Sequence, residues 1–141
     1  MYDNVLIATD GSDEAEPCVE YGLQIAEAMD AKVHALYVVE TKATYILTVG
    51  LSDDELEAYR EYGEEIVTDI VERAGDRGLE ATGVLKTGRP AEEIVDYAER
   101  NDIDAILVGK QGHDAIDRHV GSTASNVIRM AEDTATVVIE G

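Results

Sequence analysis

A single cysteine, Cys18, stands in the 141-residue chain, so no intrachain disulfide can brace the fold, and a reducing compartment suits it. Long apolar runs are missing too: none approaches the roughly 20 residues that a membrane helix needs. The opening MYDNVLIATDGS carries neither the basic nor the apolar segment of a secretory signal, and the expected location is cytoplasmic. Cations are scarce: 11 Lys and Arg, only four of them Lys, face 31 Asp and Glu, and the formal net charge is -20. That excess repels nucleic acid and anionic membranes, which makes both poor partners. It also sets the chain against itself. At molar salt the Debye length falls to about 3 Å and most of this repulsion is screened, so the surface suits a salt-loaded, halophilic cytoplasm. The acids are spread along the whole chain instead of forming one block, which speaks against a dedicated face for a cationic partner.

Several chemical signatures are absent as well. There is no GxxxxGK[ST] loop and no GxGxxG after the first strand, which removes two familiar nucleotide motifs. Neither Ser12 nor Ser122 sits in a GxSxG context, so a serine nucleophile has no support. His113 and His119 have Asp114 and Asp117 near them but not the ligand spacing of a recognised metal site. A phosphoacceptor role for Asp10 would need paired acids at the end of the first strand, and these are missing.

What is present reads as one folded domain. The apolar fraction of 45% is gathered into compact runs such as VLIA and AILVG, which excludes disorder despite the charge. Residues 4–9, 32–39, 81–86, 104–109 and 136–139 are rich in Val, Ile and Leu and read as strands buried on both faces. Helical periodicity lies between them. In residues 13–29, Cys18, Gly22, Ile25, Ala26 and Met29 recur at three- and four-residue spacing, with Ser12 or Asp13 to cap the start. Residues 52–77 repeat the pattern with Leu56, Tyr59, Gly63, Ile66, Ile70 and Val71, opening on the capping-box sequence SDDE. Pro90 begins a third helix over residues 90–100, and residues 122–130 form a fourth through Ala124, Val127, Ile128 and Ala131. Strand and helix alternate throughout, which predicts an α/β fold with a parallel sheet covered on both sides. The connection at residues 40–51, ETKATYILTVGL, is longer than usual and carries Tyr45, Ile46, Leu47 and Val49, as a lid, a subunit contact or simple packing would.

In open α/β sheets, ligands lie beyond the carboxyl ends of strands, where strand order reverses. Two stretches occupy such places. After the first strand comes Thr9-Asp10-Gly11-Ser12, where Asp10 is either an acceptor for a base amino group or ribose hydroxyl, or a plain turn residue. After the fourth come Gly109 and Gly112, and then Gly121-Ser122-Thr123 at the start of the last helix. Free N–H groups and the positive end of the dipole make that helix start an anion site, which glycine lets a phosphate approach; the same residues also suit tight turns and a helix cap. Residues 109–129 hold Lys110, Arg118 and Arg129 against Asp114 and Asp117, so the acid excess vanishes locally. A second acid-free patch, residues 81–91 with Lys86 and Arg89, shows that this feature is not unique.

Taken together, VLIATDGSDEAE, ALYVVE, TGRPAEEIVDYAERNDIDAILVG and VGKQG followed by VGSTASNVIRMA resemble the universal stress protein family over essentially the whole chain. The resemblance implies a single three-layer, Rossmann-like open sheet of five parallel strands in the order 3-2-1-4-5, with helices on both faces. It implies that Ala8, Thr9, Asp10 and the backbone of Val38 line an adenine and ribose region. Gly109, Gly112, Gly121, Ser122 and Thr123 would hold the phosphates of ATP, with Mg²⁺ carried mainly by those phosphates. The family's ATP-binding branch has GxxG, a nine-residue span and then G[ST], whereas here eight residues, His113 to Val120, separate Gly112 from Gly121. The resemblance further implies a homodimer through the last strand, Thr136 to Ile139, whose apolar edge pairing would cover. The expected role is regulatory nucleotide binding in stress response with at most slow hydrolysis, since no general base is evident. The alternatives are a dimeric scaffold of the same fold that binds no nucleotide and, from another class, an enzyme of adenylate chemistry.

Overall fold

The computed structural model describes residues 2–40, 53–110 and 121–140. The chain runs β1 (Asn4–Ala8), a 3₁₀ turn (Asp13–Ala15), α1 (Glu16–Met29), β2 (Lys32–Glu40), α2 (Asp53–Asp76), β3 (Ala81–Gly88), α3 (Pro90–Arg100), β4 (Ala105–Gly109), α4 (Ser122–Met130) and β5 (Ala135–Ile139). All pairings are parallel, in the order β3-β2-β1-β4-β5. This is the order the family resemblance implies. The connection over residues 41–52, with Ser52 of the expected capping box, lies outside the described residues.

Period-two alternation sorts the strand side chains into two cores. Val5, Ile7, Val33, Ala35, Tyr37, Val39 and Leu107 point to the face covered by α1 and α2. Leu6, Ala8, Leu36, Ile106 and Val108 point to the face covered by α3 and α4. Leu6, Ile7, Ile106 and Leu107 are fully buried, each contributing about 1.5–3 kcal/mol, so the central strands β1 and β4 are fixed most firmly. Gly22 lets α1 lie close on β1, since a Cβ there would stand 2.6 Å from the Ile7 side chain. Along the outer seam of α1 and α2, Arg73 reaches Glu16 at 2.7 Å and Glu20 at 3.1 Å, while Arg77 reaches Glu20 at 2.7 Å.

Three expectations are corrected. Burial on both faces holds for β1, β2 and β4, but β3 and β5 are only half-buried or exposed, because they are the sheet's edges. The sheet-facing line of α2 is Gly63, Val67, Ile70 and Ala74; Tyr59 is exposed. On α4, Ala124 and Val127 are buried but Ile128 is 51% exposed, having turned away from the core.

A buried polar group also escaped the sequence reading. His34 on β2 is only 5% exposed; its Nδ1 lies 2.7 Å from the Tyr97 hydroxyl on α3 and its Nε2 lies 2.9 Å from Asn4 Oδ1 on β1. Asn4 Oδ1 can only accept, so Nε2 carries the proton and Nδ1 accepts from Tyr97, the pattern of a neutral ring. Burial, with a smaller contribution from the charge of Lys32, pushes its pKa down from 6.5 to about 4.

Candidate functional site

Strand order reverses between β1 and β4, which are directly paired, Ile7 against Leu107. The chain leaves β1 in one direction toward α1 and leaves β4 toward α4 on the opposite face, opening a crevice beyond their carboxyl ends. Residues 9–12 form one wall, and the described part of the second stretch, Gly109 with residues 121–123, forms the other.

The β1 wall is a turn closed upon itself. Thr9 extends the sheet by one rung, its N–H donating to Leu36 O at 3.1 Å, and its Oγ1 then accepts from Gly11 N at 3.0 Å. Asp10 Oδ1 accepts both the N–H of Ser12 at 2.9 Å and its hydroxyl at 2.5 Å, and Ser12 Oγ in turn accepts from Ala15 N at 3.2 Å. Ser12 is thus the cap of the 3₁₀ turn, whereas α1 itself starts at Glu16 behind Ala15, with no side-chain cap and with Pro17 in its first turn, so the capping expected of Ser12 or Asp13 falls on the turn and not on α1. Gly11 has φ 77°, a left-handed conformation that glycine adopts without cost. The turn therefore presents Asp10, half-buried, with one carboxylate oxygen already engaged in holding the loop. Of the two roles considered for Asp10, these bonds show that of the turn residue. Ala8 is buried beneath it, and Val38, half-buried on β2, packs on the α3 and α4 side.

At the other wall the cap residue offers no side-chain acceptor. Gly121 is the N-cap of α4; it has no side chain to satisfy the first-turn N–H groups, and Ser122 and Thr123 are the first helical residues rather than caps. Among the described helices only α4 lacks an acid in its first turn: α1 has Glu16, α2 has Asp53, Asp54 and Glu55, and α3 has Glu92 and Glu93. With Ser122 and Thr123 as its first residues and no acid in its own first turn, this helix start has the make-up of an anion site. The base of the preceding loop is pinned: Lys110 N donates to Ile139 O at 2.8 Å, and Gly121 N donates to Lys110 O at 2.6 Å. Lys110 Nζ pairs with Glu140 at 3.0 Å, so this cation is held at the β5 side. Gly121's own N–H is thereby engaged. Gly109 closes β4 opposite Ile139, whereas Gly112, His113, Arg118 and His119 lie outside the described residues.

No group of three His, Cys, Asp or Glu among the described residues is placed to hold a metal ion. A groove of about 260 Å³ lies instead between the β1 turn and α2, lined by Thr9, Gly11, Ser12, Ile66 and Arg73 with the carboxylates Glu16, Glu65 and Asp69. Those acids make it a poor seat for phosphate. The sequence reading missed that α2 touches the β1 turn at all. Tyr62 donates its hydroxyl to Gly11 O at 3.3 Å, a contact spanning 51 residues for which no local pattern gives a signal.

The sheet order and the crevice at its reversal point define a doubly wound, Rossmann-like α/β domain. Residues 1–138 match the sequence profile of the universal stress protein family. A universal stress protein of Methanocaldococcus jannaschii is 32% identical over 140 residues, spanning 98% of this chain and 82% of the relative. Among solved structures, universal stress protein UspA from Lactobacillus plantarum superposes with a TM-score of 0.85 at 26% identity, over 99% of this chain and 98% of that one. The universal stress protein from Archaeoglobus fulgidus in complex with dAMP has the same fold, with a TM-score of 0.74 at 22% identity over 99% and 98% of the two chains. This chain belongs to the universal stress protein family.

Proposed function

We propose that this family member binds an adenine nucleotide, ATP with Mg²⁺, and serves a regulatory role in stress response. The observation that carries the reading is the start of α4: a helix N-terminus with no side-chain cap and no acid in its first turn, on a chain of net charge -20, joined to the end of β4 at the sheet's reversal point. Ser122 and Thr123, with the first-turn N–H groups, would hold phosphate oxygens, and Gly109, Gly112 and Gly121 would give them room. Asp10 would accept from the ribose hydroxyls, with Ala8, Thr9 and the backbone of Val38 along the base. Mg²⁺ would stay on the phosphates, neutralising charge and keeping most of its waters, as its octahedral shell prefers. The dAMP complex of a structural neighbour supports the adenine class of ligand for the fold.

A homodimer through β5 belongs to the same reading. Thr136, Val137, Val138 and Ile139 are only half-buried at the sheet's edge, and pairing with a second copy would cover them. Sedimentation at micromolar concentration should return the mass of two chains; a one-chain mass would sink this part. The second reading, a scaffold without nucleotide, draws on the 2.6 Å bond that joins Lys110 directly to Gly121 and narrows the phosphate wall at its base.

Calorimetric titration with ATP and Mg²⁺ in molar KCl separates the two. Saturable heat in the parent, weakened about tenfold or more in Gly121→Val, is the expected result, a loss of roughly 1.4 kcal/mol or more. Absence of heat in the parent would favour the scaffold.

A further inference from the structure

The β1 turn is held from outside as well as from within. Gly11 is the point where α2 touches it: a Cβ on Gly11 would stand 2.2 Å from Ile66 Cδ1 and 2.8 Å from the Tyr62 hydroxyl. The Tyr62 hydroxyl donates to Gly11 O, and the Tyr62 ring meets the ring of Tyr37 edge to face, centroids 5.9 Å apart at 75°. Tyr37 is buried on β2 and lies tight under α2, where Gly63 leaves room that a Cβ, 2.4 Å from the ring, would fill. Tyr62 therefore stands on a fixed support, though it is itself 42% exposed at the mouth of the sheet. The carbonyl it holds belongs to the residue between Asp10 and Ser12, the two partners whose hydrogen bonds shape the turn. A left-handed glycine has wide conformational freedom, and anchoring its carbonyl removes much of it.

We infer that Tyr62 is a positioning residue for the Asp10 side of the site: its hydroxyl latches the β1 turn to α2 and so fixes where Asp10 stands. The inference rests on the proposed nucleotide site for its consequence, but the latch itself is independent of any ligand. A nucleotide that engages Asp10 would in turn bear on α2, whose first turn follows directly on residues 41–52. A change at the β1 turn then has a mechanical route to that helix.

The test uses Tyr62→Phe, which keeps the ring against Tyr37 and removes only the hydroxyl, with Tyr59→Phe, three residues earlier on the same helix and similarly exposed, as the control. Amide exchange is followed by NMR in the full chain without nucleotide. The amides of Gly11 and Ser12, bonded to Thr9 Oγ1 and Asp10 Oδ1, are expected to exchange about fivefold faster in Tyr62→Phe, while Thr9, bonded into the sheet, exchanges as in the parent. Unchanged exchange at Gly11 and Ser12, or equal acceleration in Tyr59→Phe, overturns the latch. With a parent that binds ATP, Tyr62→Phe should also raise the dissociation constant about fivefold, and an unaltered constant overturns the positioning role. A parent that takes no ATP defeats the proposed function, and the exchange experiment still decides the latch.

Discussion

The two walls of the crevice solve the same problem in opposite ways. Both are chain segments that leave a buried strand and turn into a helix. At the β1 wall the donors are satisfied internally, by Thr9, Asp10 and Ser12 acting on one another and on Ala15, with Tyr62 holding Gly11 from outside. At the α4 wall a glycine occupies the cap and no acid stands in the first turn, so the helix start has positive potential and no side-chain cap. One wall is closed by its own side chains; the other has no side-chain cap at its N-cap position. Substitutions on the first should therefore cost stability, and substitutions on the second should cost ligand affinity with little effect on folding.

The sharpest break of that contrast would come at Gly11. Gly11→Ala places a Cβ against Ile66 in a left-handed conformation, and urea unfolding should show a loss of about 4 kcal/mol from strain and overpacking together. Acid supplies the next largest effect, at neither wall but at the opposite end of the sheet. The pKa of folded His34 lies below its unfolded value, so between about 6.5 and about 4 the unfolded chain binds more protons. Its contribution is complete above the upper limit and is lost as pH falls through that window, by about 3 kcal/mol. Unfolding curves of His34→Gln should be flatter than the parent's in this range, and parallel curves would refute the assignment. Ser12→Ala removes a cap and one bond to Asp10, and should lower stability by about 1–2 kcal/mol. Ser122→Ala, on the other wall, should change stability by no more than about 0.5 kcal/mol yet weaken ATP about fivefold, because the cap position of α4 is held by Gly121 and not by Ser122. A Ser122→Ala stability loss as large as that of Ser12→Ala would erase the difference between the walls.

Much of the fold was legible because buried parallel strands announce themselves as unbroken Val, Ile and Leu runs, and the helices between them keep their period. The limits of that signal are as physical as its strength. TVVI in β5 has the composition of a central strand, yet composition carries no record of whether a strand has neighbours on both sides, and β5 has one. In α2, tyrosine is apolar in body and polar at the tip, so Tyr59 fits a helical stripe while standing in solvent; Val67 and Ala74 are the residues that pack. For the site, glycines after strands and Ser-Thr at a helix start pointed to both walls. Ser12 was one of two candidate caps, but the bonds of Thr9 and Asp10 within the turn and the hold of Tyr62 on Gly11 were not legible, the last because it joins residues distant in the chain. His34 was equally silent, its partners lying on β1 and α3.

The central claim is that the α4 start receives phosphate while the β1 turn stays closed. An amide NMR titration of the full chain with ATP and Mg²⁺ in molar KCl reads both walls at once. The account predicts the largest shifts at Ser122, Thr123 and Ala124, with smaller ones at Thr9 through Ser12. Saturating shifts confined to the β1 turn or to the groove along α2, with Ser122 and Thr123 unmoved, would contradict it.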